Sequence, residues 1–177
     1  MLVSNPETEL IKEAEKKAAC LIEKLKKLSV TLALAESCTA GLVSSFLAGI
    51  PGVSSVFWGC FTCYTKEAKI SMLGLDKNEL NANGLVSEKT ARLMAHAALN
   101  KSGAKIAASV TGIAGPGGDG SEVPVGTVWA ATAPQNGEVR TREFFFPGVG
   151  RNEVRIRAAM AVIEMITETL DTKEINC

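Results

Sequence analysis

Val30-Thr31-Leu32-Ala33-Leu34-Ala35 runs straight into Glu36-Ser37-Cys38-Thr39-Ala40-Gly41 and then into Leu42-Val43-Ser44-Ser45-Phe46-Leu47. Residues 30–35 read as a short buried strand, and 39–47 as a helix closed by Gly49-Ile50-Pro51-Gly52. Working outward, helix and strand keep alternating. Upstream, Asn5 reads as an N-cap with Pro6 at the first helical position and Glu7 and Glu9 in the first turn. Apolar residues at 10, 11, 14, 18, 21, 22, 25 and 28 make this an amphipathic helix ending near Leu28. Downstream, 53–64 predicts a second strand, 67–73 a short helix stopped by Gly74, and Ser87 caps a longer helix reaching Ala98. A third strand at 105–110 leads into Thr111-Gly112-Ile113-Ala114-Gly115-Pro116-Gly117-Gly118-Asp119-Gly120, a loop by its glycine content. Strands at 125–132 and 139–146 flank Ala133-Pro134-Gln135-Asn136-Gly137, a hairpin-like turn that predicts an antiparallel pair. A long helix over 151–170 closes the pattern. The expected fold is a three-layer α/β/α single domain with a mixed sheet.

The chain of 177 residues, 46% hydrophobic, suits one sizeable core. Nineteen basic residues balance nineteen acidic ones, so no broad field favours nucleic acid or an anionic membrane surface, and an anion must be caught locally. Residues 37–65 carry no charge, but their serines and threonines and the break at Gly49-Ile50-Pro51-Gly52 argue against a membrane span. The first residues lack the charged stretch and apolar run of a signal peptide, and a soluble cytoplasmic protein is expected. Five cysteines, at 20, 38, 60, 63 and 177, form no secreted framework. Cys60-Phe61-Thr62-Cys63 has the spacing of a redox or zinc pair, yet on a strand residues three apart face opposite sides, so these are expected to be buried small hydrophobes. No metal or cofactor is expected.

Three places could carry chemistry. At the opening junction a hydroxyl would sit beside the unpaired amides and positive end of a helix. There Ser37 or Thr39 is either a helix cap, with Glu36 a solvated neighbour, or a nucleophile. The G-x-S-x-G elbow is absent, because Ala35 and Thr39 occupy the glycine positions. The only histidine, His96, lies between alanines in a helix with no evident acid partner, so a base must come from elsewhere. A lysine serves if it is neutral; lowering its pKa from about 10.4 to about 7.5 disfavours the charged form by roughly 4 kcal/mol, which burial can supply. In Tyr64-Thr65-Lys66-Glu67-Ala68-Lys69-Ile70, Lys69 has the more apolar neighbours, and Tyr64 could hold it or pass a proton to a leaving group. The alternative is a solvated lysine and a strand-ending tyrosine. The glycine-rich loop fits neither nucleotide fingerprint, but its amides could converge on an anion with Thr111 adding a hydroxyl, or it could be a plain long turn.

Together, 35–41, 64–69, Gly84-Leu85-Val86-Ser87, the loop at 111–118 and Pro124-Val125-Gly126-Thr127-Val128 resemble the CinA C-terminal domain family over most of the chain. That family includes nicotinamide-nucleotide amidohydrolases, which convert nicotinamide mononucleotide to nicotinic acid mononucleotide and ammonia by a serine-lysine mechanism without metal. The resemblance implies Ser37 as nucleophile, Lys69 as base and Tyr64 as helper, with Glu36, Thr39, Gly41, Thr111, Gly112, Gly115, Gly117 and Arg151 binding substrate. It implies a small-molecule nucleotide as partner, a homo-oligomer, and no nucleic acid or membrane. The chain departs from the family pattern at Ala40, Thr65-Lys66, Val123 and Val149-Gly150; Val123 stands where a lysine commonly precedes Pro-Val-Gly, which weakens the expected hold on phosphate. Longer members carry a large N-terminal domain, so a stand-alone amidase-type module is expected, with a non-catalytic nucleotide-binding module and a Cys38 thiol hydrolase as alternatives.

Overall fold

A computed structural model describes residues 6–171; the expected cap at Asn5, and Cys177, lie outside them. The elements in chain order are α1 (Pro6–Leu28), β1 (Leu32–Glu36), α2 (Leu42–Ala48), β2 (Phe57–Thr62), α3 (Lys66–Leu73), α4 (Lys77–Asn83), α5 (Glu88–Ser102), β3 (Ile106–Gly112), β4 (Thr127–Pro134), β5 (Arg140–Phe145) and α6 (Arg151–Asp171). The five strands form one sheet in the order β2-β1-β3-β4-β5. β1 pairs in parallel with both β2 and β3, whereas β4 is antiparallel to β3 and β5, so the sheet is mixed.

Strand alternation sorts the core into two layers. From β1, Leu32 and Leu34 join the buried apolar residues of α1, α2 and α6, whereas Ala33 and Ala35 join those of α3, α4 and α5. The same alternation carries Ile106 and Ala108 of β3 to the first layer and Ala107 to the second. Small residues at Ala33, Ala35 and Ala107 let α5 lie close on the sheet, where Ala91, Met94, Ala95 and Ala98 are fully buried. Cys60 packs with the first layer and Cys63 belongs to the second, so strand geometry does separate the two sulfurs.

Three elements differ from their expected bounds for local reasons. Helix α2 begins at Leu42 rather than 39, because Ala40 at φ 52° and Gly41 at φ 90° are left-handed and hold a turn before it. The stretch 53–64 is a 3-10 turn at Val53–Ser55 followed by the shorter β2. Helix α4 was not expected: it is polar and buries only Leu80, but Asp76 Oδ1 accepts from the amides of Asn78 at 2.7 Å and Glu79 at 3.1 Å and caps it. Among the described residues no helix is long and apolar enough to cross a membrane.

Candidate functional site

The carboxyl ends of β1, β2 and β3 lie side by side, and the chain leaves β1 between neighbours joined to it from opposite sides. Such a switch point in an open α/β sheet leaves a crevice where ligands bind. Here it is a cleft of about 220 Å³ whose lining includes Ser37 after β1, Tyr64 after β2, Lys69 of α3, the loop after β3 and Arg151 at the start of α6.

Ser37 is held as a continuation of β1, its amide donating to Val110 O at 3.0 Å. By alternation Ser37 follows Ala33 and Ala35 toward the α3–α5 layer, and there Lys69 is waiting. Thr65 caps α3 by accepting from the Ala68 amide at 3.1 Å, which sets the rotation of the helix. Lys69, one turn in, is 1% exposed and reaches back over the end of β2. Its Nζ lies 2.8 Å from Ser37 Oγ and donates to Cys63 O at 3.0 Å.

Burial pushes the Lys69 ammonium below the ordinary lysine value of 10.5, with Cys63 and Cys38 acting the other way. Among the described residues no carboxylate acts on it. A neutral amine here can accept the Ser37 hydroxyl proton across the same 2.8 Å contact, the geometry that a nucleophile with its own base requires. Cys38 lines the cleft as well, but burial pushes its thiol up to about 12, so it is protonated and a poor nucleophile near neutrality.

Tyr64 is half exposed at the mouth of the cleft, and its hydroxyl accepts from Arg151 at 2.7 Å. The same guanidinium donates to Gly115 O, so Arg151 ties the tyrosine to the glycine-rich loop. Thr111, Gly112, Gly115 and Gly117 also line the cleft, with the Thr111 hydroxyl donating to Leu85 O at 2.8 Å. The structure therefore gathers eight of the sequence-derived candidates: Ser37, Lys69, Tyr64, Thr111, Gly112, Gly115, Gly117 and Arg151.

Glu36, Thr39 and Gly41, expected to bind substrate, are not in the cleft lining. Glu36 is fully buried rather than solvated, and alternation turns it with Leu32 and Leu34 toward the α2 layer. Thr39 is also fully buried, its carbonyl accepting from Arg155 at 2.9 Å while its Oγ1 has no hydrogen-bond partner among the described residues. Gly41 is the left-handed residue before α2, where a side chain would be strained. His96 is exposed on α5 and does not face the cleft lining. Leu85 and Val86, from the stretch 84–87 that carries the resemblance, and Asp119 of the glycine-rich loop also line the cleft, three side chains to which the sequence pattern assigns no role of their own.

Residues 14–170 match the CinA C-terminal domain family. A CinA-like protein of Akkermansia muciniphila is 48% identical over 115 residues, 65% of this chain and 28% of that protein. One of Geotalea daltonii is 41% identical over 145 residues, 82% of this chain and 35% of that protein. The chain thus spans about a third or less of the length of these curated relatives. The crystal structure of the competence/damage inducible protein CihA from Agrobacterium tumefaciens superposes with a TM-score of 0.85 at 41% identity, over 90% of this chain and 96% of that one.

Proposed function

The chain belongs to the CinA C-terminal domain family, and from that premise we propose that it hydrolyses the carboxamide of nicotinamide mononucleotide to nicotinic acid mononucleotide and ammonia. The observation that carries this reading is the 2.8 Å contact between Ser37 Oγ and a buried Lys69 Nζ. Ser37 Oγ attacks the carboxamide carbon as Lys69 Nζ takes its proton. The donors for the oxyanion that forms are the amides of Cys38 and Thr39, which also lie against the Cys38 sulfur. The carbon–nitrogen bond then breaks as the leaving nitrogen takes the proton back from the Lys69 ammonium, with the Tyr64 hydroxyl assisting, and ammonia departs while Lys69 returns to the neutral amine. A water molecule, deprotonated by Lys69, attacks the acyl-Ser37 ester; the carbon–Oγ bond breaks, Ser37 Oγ takes the proton back from Lys69, and the carboxylate is released. Arg151 and the amides of the loop at 111–118 suit the nucleotide's phosphate and sugar, and the chemistry calls on protein groups alone.

The test is ammonia release from nicotinamide mononucleotide by the purified protein. Ser37→Ala is expected to reduce turnover by about 10³-fold or more. Turnover undiminished by that change would remove Ser37 as nucleophile. Calorimetric binding of the nucleotide with no ammonia released would support a nucleotide-binding module in place of an enzyme.

A further inference from the structure

Glu36 is a buried carboxylate with no ion-pair partner among the described residues, set one residue before Ser37. Its Oε2 accepts from the amides of Gly41 at 2.9 Å and Val43 at 3.2 Å. Its Oε1 accepts from the amide of Ser44 at 2.8 Å and from the Ser44 hydroxyl at 2.6 Å. The Cys60 thiol lies 3.7 Å from Oε1 on the other side. Burial, with the Glu36 charge second, pushes that thiol up to about 11, so it stays a donor. Gly41, at the N-cap of α2, has no side chain with which to cap it. The preceding strand supplies the cap instead, and the chain between carboxylate and donors is the turn that presents Ser37 and the amides of Cys38 and Thr39.

We infer that Glu36 is a positioning residue: its carboxylate pins the first turn of α2 and so fixes the Ser37 hydroxyl against Lys69 and the amides of 38 and 39 where the oxyanion forms. This rests on Ser37 being the nucleophile. The arrangement requires an acceptor at both oxygens. A glutamine has the same shape, but its NH₂ faces the amides of Gly41 and Val43 in one orientation and the amide of Ser44 in the other, so at least one amide of the turn loses its acceptor. Misplacement of a reacting group by about 1 Å costs on the order of 100-fold in rate.

The test follows covalent labelling of Ser37 by a small alkyl fluorophosphonate, read by intact mass, in the whole chain. The Ser37 Oγ–P bond forms, the P–F bond breaks, fluoride leaves, and the serine proton passes to Lys69. Labelling amplitude reports the folded fraction, and the rate constant reports the geometry of the turn. Glu36→Gln is expected to lower the rate constant about 10- to 100-fold, and to lower kcat on the nucleotide equally with KM held within about twofold. Ser44→Ala, which removes one donor from the helix side, is expected to slow labelling roughly threefold and serves where Glu36→Gln does not fold. If wild type labels at Ser37 and the folded variants label at the wild-type rate, the inference is overturned while the serine-lysine reading stands. If wild type does not label at Ser37, that reading falls, and this one with it.

Discussion

At the scale of single residues, the site turns on the protonation of Lys69. Its pKa lies below 10.5 because burial disfavours the ammonium, so the amine becomes available as base when pH rises through that lowered value. Activity is therefore expected to climb with pH along a one-proton limb whose midpoint is below 10.5, and to fall as the amine protonates on acidification. Lys69→Arg keeps the charge and cannot shed it, so it is expected to lose the limb along with about 10²- to 10⁴-fold of the rate. A midpoint at the ordinary lysine value would contradict the buried amine. The hydroxyls of the turn divide sharply. Ser37 touches Lys69, whereas Thr39 Oγ1 is buried with no partner among the described residues and bears the cost of desolvation alone. Thr39→Val is accordingly expected to raise stability by about 1 kcal/mol in urea unfolding with turnover unchanged; a large loss of turnover would return Thr39 to the substrate. Composition placed both hydroxyls at one helix start; Ser37 continues β1 toward Lys69, whereas Thr39 lies in the turn beyond the strand, where alternation no longer holds.

At the scale of elements, what could be read in the sequence was what periodicity controls. The apolar run of β1, the long helices α1 and α6 and the antiparallel turn between β4 and β5 follow from spacing alone, and their bounds agree with the structure to within a few residues. Helix α4 escaped because its apolar face is a single leucine, and the start of α2 moved because an alanine adopts a left-handed conformation that composition does not announce. The glycine-rich loop shows the same limit. Gly112 and Gly117 look alike in sequence, but a Cβ at Gly112 would lie 2.7 Å from Thr127 O and 2.8 Å from Val128 Cγ2 on β4, whereas one at Gly117 would meet nothing within 4 Å. Gly112→Ala must push β3 from β4 at the edge of the cleft, and is expected to cost about 2 kcal/mol or more in chemical unfolding and to depress ammonia release. Gly117→Ala is expected to change stability by no more than about 0.5 kcal/mol. Equal costs for the two would mean that the loop packs differently from this description.

For the molecule as a whole, the site and the stability of the fold draw on the same lysine. The sheet order puts three strand ends together, and α3 must bury an amine there to reach Ser37, a placement no single segment reveals because β1 and α3 meet only through the topology. In the unfolded chain Lys69 holds its proton up to 10.5, whereas in the folded chain it gives it up at lower pH. Between the folded value and 10.5 the unfolded state binds more protons, so this residue's contribution makes stability rise with pH; below the folded value both states are protonated and its full cost is felt. Lys69→Met fills the same space without the amine. It is expected to be more stable than wild type at low pH, and the advantage should shrink as pH approaches 10.5, with a slope of at most about 1.4 kcal/mol per pH unit. The thiols of Cys38 and Cys60, raised to about 12 and about 11, act in the opposite sense above 9.0; Cys60 cancels in the difference, but Cys38 loses the lowering influence of Lys69 in the variant, so the comparison is read below pH 9.0. Urea unfolding of the two proteins across pH measures this directly. Parallel curves would mean that burying the amine costs the fold nothing, whereas converging curves together with lost ammonia release would show that the fold gives up stability to hold its base.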